Sequence, residues 1–187
     1  MPNRVKSKII ANSKERIEIE RFSDDFSVRA AVDLSGKPLR TKSGRAFIDS
    51  LLNGMGKFGA EIIVARDVAE TKKIIHNSGY AFGEALRKAY EKKKAKESGM
   101  AIYAKDKAMC MCAINAKKQA GEANLQIIGK PDFDAEHFFA FFDGLAQGFE
   151  AEINVLIKIP DIKKSGHADF LAKAFSSCLE QIISMQI

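Results

Sequence analysis

Apolar and polar residues alternate along this chain with two periods, one of two residues and one of three to four, and the two follow one another in a repeating order. Ile17-Glu18-Ile19-Glu20 alternates strictly. Asp24-Asp25 turns the chain, and Phe26-Ser27-Val28-Arg29-Ala30-Ala31-Val32 resumes the alternation, so two strands are expected between residues 17 and 34. Ser35-Gly36-Lys37-Pro38 has turn composition. Phe47, Leu51, Met55 and Phe58 then recur at helical spacing, with Ser43 expected to cap that helix and Gly59 to close it. A strand over residues 60–65 follows, and then a helix from about 74 to 93 with an apolar stripe of Ala81, Phe82, Ala85, Leu86 and Ala89.

Lys96-Glu97-Ser98-Gly99 punctuates the chain near its midpoint. Beyond it, Ile102-Tyr103 leads to a strand over 108–114, a polar turn over 117–121 and a strand over 123–128. After the Pro131-Asp132 break come a Phe-rich helix over 136–149, a strand over 152–159 and a helix over 167–183 that carries Phe170, Ala174, Phe175 and Leu179. Both halves therefore read as two strands, helix, strand, helix. A local echo supports a duplication: Ala60-Glu61-Ile62 follows Phe58-Gly59, and Ala151-Glu152-Ile153 follows Phe149-Glu150. The expected architecture is α+β, with repeats over residues 1–96 and 97–187 forming one unit. Helices would cover one face of largely antiparallel sheets and share a core.

Composition narrows the class. With 46% hydrophobic and 29% charged residues the chain is too apolar to stay disordered, and thirteen Phe with no Trp make Phe the main large core side chain. No apolar run approaches membrane-spanning length and Met1-Pro2-Asn3-Arg4 does not resemble a signal peptide, so a cytoplasmic protein without a membrane partner is expected. Cys110 and Cys112 share one face of a strand and Cys178 is distant; small buried thiols are expected rather than a zinc site. The net charge of +6 sits largely in Lys92-Lys93-Lys94-Ala95-Lys96, Lys117-Lys118 and Lys163-Lys164. No aromatic residues interleave with the first run, and cations at a helix C-terminus favour its dipole, so a solvated helix end is expected rather than a nucleic-acid surface.

Several segments resemble one family. Ser43-Gly44-Arg45-Ala46-Phe47-Ile48-Asp49-Ser50-Leu51-Leu52 is similar to the T-G-x-x-F-L-D-H-M-L motif of imidazoleglycerol-phosphate dehydratases. Gly79-Tyr80-Ala81-Phe82-Gly83-Glu84-Ala85-Leu86 resembles that family's G-x-A-L-G-x-A-L, Asp134-Ala135-Glu136-His137-Phe138-Phe139 its E-x-V-E-H-F-F, and Ala172-Lys173-Ala174-Phe175 its F-K-A-F. The resemblance implies a duplicated module related to the second domain of ribosomal protein S5, each repeat a sheet-plus-helix layer. It also implies self-association as a trimer or 24-mer. The family dehydrates imidazole glycerol phosphate in histidine synthesis, using two manganese ions held mainly by two H-H-x-x-E motifs.

At those motifs this chain departs. Lys72-Lys73-Ile74-Ile75-His76 stands at the first and Ser165-Gly166-His167-Ala168-Asp169 at the second. Ser50 and Phe58 replace further family histidines, and Asp25 stands near an early acidic ligand. Asp106-Lys107-Ala108-Met109 takes the place of D-E-A-L, and Gln119 falls near a family arginine. His137, His167, Asp169 and His76 are the remaining metal-ligand candidates, and two lysines where imidazoles belong would repel a divalent cation. No catalytic residue is assigned and no cofactor is expected, with manganese required only if dehydratase activity is retained. Lys173, Lys72 and Lys73 are the candidate ligand-binding residues. The expected function is a dehydratase-like scaffold that binds a small anionic ligand or a partner. A divergent manganese-dependent dehydratase and a basic nucleic-acid-binding protein are the alternatives.

Overall fold

The computed structural model describes residues 4–56, 58–105, 107–117, 121–160 and 166–184; Asp106, Lys118, Gln119, Lys163, Lys164 and Ser165 lie outside them. The first half forms β1 (Lys6–Asn12), β2 (Arg16–Phe22), β3 (Phe26–Asp33), α1 (Ala46–Asn53), β4 (Gly59–Asp67) and α2 (Thr71–Lys93). The second forms β5 (Ser98–Lys105), β6 (Ala108–Asn115), β7 (Glu122–Ile128), α3 (Ala135–Phe149), β8 (Glu152–Lys158) and α4 (His167–Ile182). The alternation in β2 buries Ile17 and Ile19 and leaves the charged residues between them on the outer face. In β6 the same period buries Cys110, Cys112 and Ile114.

The sheets run β1-β2-β3-β4, all antiparallel, and β5-β6-β8-β7, in which only β7 and β8 are parallel. The orders differ, yet one module underlies both. β2, β3 and β4 correspond to β5, β6 and β8, because β4 pairs antiparallel with β3 as β8 does with β6. The place of β7 is held in the first half by a single parallel bridge, Lys42 to Ile63. Thr41 fixes that bridge: its hydroxyl donates to Ala60 O at 3.3 Å and accepts from Ile62 N at 3.2 Å. β1 is then an added edge strand. The two-strand reading of each half missed β1 and β5 and so matched the wrong strands to one another. The echo at Ala60 and Ala151 does fall on equivalent positions, the entries to β4 and β8.

The helices lie between the sheets. α2 packs on β2 and β3, α4 on β5 and β6, and the two helix layers meet where α2 crosses α3 and α1 crosses α4. The α2–α3 crossing is made by glycines on both sides. A Cβ on Gly79 would lie 2.0 Å from Phe141 O, and one on Gly144 would lie 2.0 Å from His76 O. Gly83 and Gly148 repeat the arrangement one turn on, at 2.4 Å from Leu145 O and 2.1 Å from Tyr80 O. Around this crossing Phe82, Phe138, Phe141, Phe142, Phe149 and Phe175 are fully buried. Phe82 stacks on Phe141, and Phe142 meets Phe175 edge to face.

Two local expectations are corrected. Ser43 does not cap α1, whose N-cap is Arg45; the Ser43 hydroxyl donates to Asp49 Oδ1 at 2.7 Å and accepts from Arg45 N at 3.1 Å, bracing the turn before the helix. Gly59 does not close α1 either, since the helix ends at Gly54. Gly59 instead opens β4, where a Cβ would lie 2.3 Å from Lys37 O.

Candidate functional site

The N-termini of all four helices open on one cavity of about 630 Å³. α1 contributes Gly44, Arg45, Ala46, Phe47 and Ser50, and α2 contributes Thr71. Asp132, Phe133, Asp134 and His137 come from the start of α3, and Gly166, Ala168 and Asp169 from the start of α4. The helices converge because in each repeat both helices run back across their own sheet, and the glycine crossing holds α2 and α3 close.

The two repeats treat their helix starts differently. Asp134 Oδ1 caps α3, accepting from Glu136 N at 2.8 Å and His137 N at 3.2 Å. Asp132 caps α4 from a distance in sequence: its carboxylate accepts from Gly166 N at 2.5 Å and from His167 N at 3.2 Å. Among the described residues no side chain caps α1 or α2. The first turn of α2 thus carries no acidic residue to offset its partial positive charge, α1 has Asp49 in its first turn, and Asp132, Asp134 and Asp169 line the same cavity. Arg45, in the lining, pairs with Asp67, and its Nε–H is buried without a hydrogen-bond partner among the described residues.

The structure separates the sequence candidates. His137 and Asp169 line the cavity. Asp169 has no hydrogen-bond partner among the described residues and its carboxylate lies beside Gly54, while His137 Nε2 stands 3.7 Å from Asp134 Oδ2. His167 is buried just behind the wall. Its Nδ1 lies 3.1 Å from the Asp132 amide nitrogen and also 3.1 Å from Asp132 Oδ1. The amide can only donate, so Nδ1 accepts from it and the ring proton is left to Nε2. His76 is drawn away to α3, with Nε2 3.2 Å from Asp143 Oδ2.

None of the three lysines lines this cavity. Lys73 Nζ donates to Asp25 Oδ2 at 2.7 Å, and this bond, with a second from Ser23, holds the Asp25 carboxyl below the usual carboxylate range. Lys72 is exposed on the first turn of α2. Lys173 sits against β5, donating to Tyr103 Oη at 3.2 Å with its ammonium 4.8 Å from the ring centroid.

Sequence reasoning overlooked Arg45, Thr71, Asp132 and Asp134 as site residues. Asp134 had a readable signal, an Asp directly before a helical apolar run. Asp132 had none, since it caps a helix more than thirty residues away. The cysteines are buried and free, as expected. Burial pushes the Cys110 thiol up to about 12, and contact with Cys178 together with burial holds Cys112 well above its ordinary value. Neither thiol rests as a thiolate near neutral pH.

Two manganese ions would require several donors converging on each ion. Among the described residues no group of three or more His, Cys, Asp or Glu side chains is placed to hold a metal ion. With His76 held by Asp143, His167 by Asp132, and lysines at the first motif, the donor set of this chain does not fit that pair.

Comparison with known proteins bears on the scaffold. The family model for imidazoleglycerol-phosphate dehydratase matches residues 43–179. The structure of the dehydratase from Pyrococcus furiosus superposes with a TM-score of 0.69 at 18% identity, covering 90% of this chain and 94% of that one. The imidazoleglycerol-phosphate dehydratase of Staphylococcus aureus superposes with a TM-score of 0.67 at 12% identity, covering 97% and 99%. No curated protein matches the sequence significantly. The structural likeness establishes the fold, and the sequence match runs from the turn before α1 into the last turns of α4. This chain belongs to the imidazoleglycerol-phosphate dehydratase family.

Proposed function

We propose that this chain retains the family scaffold and its helix-lined cavity but not the dinuclear manganese site, and that it acts as a ligand-binding homo-oligomer of the cytoplasm rather than as a dehydratase. One observation carries the reading: the cavity persists where the metal donors do not converge. Its lining suggests the ligand. The starts of α1 and α2, with the Arg45 guanidinium in the lining, suit an anionic or strongly accepting group. Asp169, in the same lining, suits a hydrogen-bond donor or an amine. A small anionic molecule bearing a donor group matches both. The anion-binding role is thereby assigned to Arg45 and the helix starts rather than to Lys72, Lys73 and Lys173, which stand outside the cavity.

A second reading, a divergent manganese-dependent dehydratase, draws on His137 and Asp169, which share the cavity. Calorimetric titration of the purified chain with manganese, alongside metal analysis of the protein as isolated, separates the two. The proposal expects no saturable manganese binding below millimolar concentration. Stoichiometric binding at micromolar concentration that is lost in His137→Ala would replace it with the second reading.

A further inference from the structure

The first sheet carries an edge strand, β1, for which the second has no counterpart, and the far side of β1 pairs with no other strand among the described residues. There the backbone of residues 6–11 forms no hydrogen bond beyond those with β2, whereas Asn12 O and Ser13 O accept from Lys92 Nζ at 2.8 and 2.9 Å. The register shifts at Ile10, with Ile9 opposite Ile19 and Ala11 opposite Glu18, so the regular open edge is Lys6–Ile9. Every second residue of an edge strand directs its N–H and C=O away from its neighbour, ready for another strand. The two faces of this edge differ. Lys6 and Lys8 stand on the outer face, opposite Phe22 and Glu20, and neither forms an ion pair among the described residues. Ser7 and Ile9 stand on the inner face. Ser7 Oγ donates to Glu84 Oε2 at 2.7 Å, and Ile9, 50% exposed, lines a groove of about 260 Å³ with Ile19 and Gly148.

We propose that Lys6–Ile9 is a docking edge for an extended acidic segment of another protein, which joins the first sheet as a further strand beside β1. Charge selects the partner. Lys6 and Lys8 are about 7 Å apart along the strand, so acidic residues two apart in the incoming segment fall beside them. The residues between turn inward, and one of them lies against Ile9 in the groove. β2 already makes this match from the other side, with Glu20 opposite Lys8 and Ile19 opposite Ile9. The recognised pattern is therefore acidic and apolar residues in alternation. The same lysines exclude a second β1. Added antiparallel with the same face outward, it would set lysine beside lysine, and like charges directly opposite destabilise a pair. The edge shares no residue with the helix-lined cavity, so the inference stands apart from the ligand assigned there.

Fluorescence anisotropy of a labelled peptide, Glu-Val-Glu-Val-Glu with blocked termini, titrated with the full chain to about 1 mM tests this. Saturable binding is expected, weaker at high salt, with none to Lys-Val-Lys-Val-Lys. Lys6→Glu should weaken it roughly tenfold or more. Position 6 faces Phe22 rather than a carboxylate, so β1 should stay in place and the circular dichroism spectrum should not change. Lys8→Gln, which keeps a polar side chain opposite Glu20, serves if Lys6→Glu unfolds. Strand pairing also leaves a signature that charge attraction does not. N-methylating the second and fourth peptide residues, or the first, third and fifth, removes donors from opposite edges of the peptide, so one pattern should abolish binding and the other should not. Equal binding of the two methylated peptides overturns the proposal, as does an absence of saturable binding or an unchanged affinity in the lysine variants. Loss of peptide binding at concentrations where the chain itself associates would seat a second copy on this edge, and overturns it as well.

Discussion

Replacing Gly144 by alanine tests the glycine crossing that positions the cavity. Helix propensity alone predicts a gain of about 1 kcal/mol, because alanine is the better helix former. The structure predicts the opposite sign. The new Cβ would lie 2.0 Å from His76 O, 2.9 Å from His76 C and 3.0 Å from Tyr80 N. Carbon and carbonyl oxygen approach to about 3.3 Å, so α2 and α3 must part by about 1.3 Å. A gap of that size forfeits a large share of the dispersion contacts along the crossing. Overpacking costs about 1–3 kcal/mol, and the obstacle here is helix backbone, which cannot swing aside, so the cost exceeds the upper end of that range. After the propensity gain, net destabilisation of about 2–3 kcal/mol remains, which lowers the melting temperature of a chain this size by about 4–12 °C. Thermal and urea unfolding followed by circular dichroism measure it. Gly79→Ala should behave alike, since its Cβ would meet Phe141 O at the same 2.0 Å. An unchanged or raised melting temperature in both variants would refute the reasoning.

Other consequences follow from the cavity wall and the core. Asp132→Ala uncaps α4 and removes the carboxylate beside His167, and should cost about 0.5–2 kcal/mol; Asp132→Asn, whose amide oxygen still accepts, should cost less, and urea midpoints compare the two. The three thiols should be inert to a disulfide reagent at about pH 8 in the folded protein and all should react in denaturant. Stability should also fall at high pH. Cys110 has a folded-state value of about 12 against an ordinary 9.0, so the stability from burying its protonated form is complete below about 9 and is lost as pH rises toward 12. Urea midpoints that stay flat between pH 9 and 11 would contradict that.

What the sequence disclosed follows physical lines. β2, β3 and β6 were legible because each buries one face and so carries a period of two. β1 was not, because Lys6–Asn12 is an edge strand that buries almost nothing and hence has no alternation to read. β5 was hidden because Ser98-Gly99 reads as a turn. In the fold a Cβ on Gly99 would lie 2.7 Å from Cys178 O, and Cys178 Sγ donates to Gly99 O at 3.0 Å, so the glycine serves close packing of α4 on a strand. The glycines at 79 and 83 stood out in the sequence, but their partners at 144 and 148 emerge only when α2 and α3 are placed together. The site was least legible. Arg45, Asp132 and Asp169 come from three helix starts, and what they form depends on packing between the repeats rather than on any local motif.

The most direct test of the account is turnover of imidazole glycerol phosphate by the purified, folded protein with added manganese. The account predicts no dehydration above the buffer rate at any manganese concentration, because Lys72, Lys73, His76 and His167 do not supply the donors the metals need. Manganese-dependent turnover that disappears with His137→Ala would contradict it and return the cavity to the chemistry of the family.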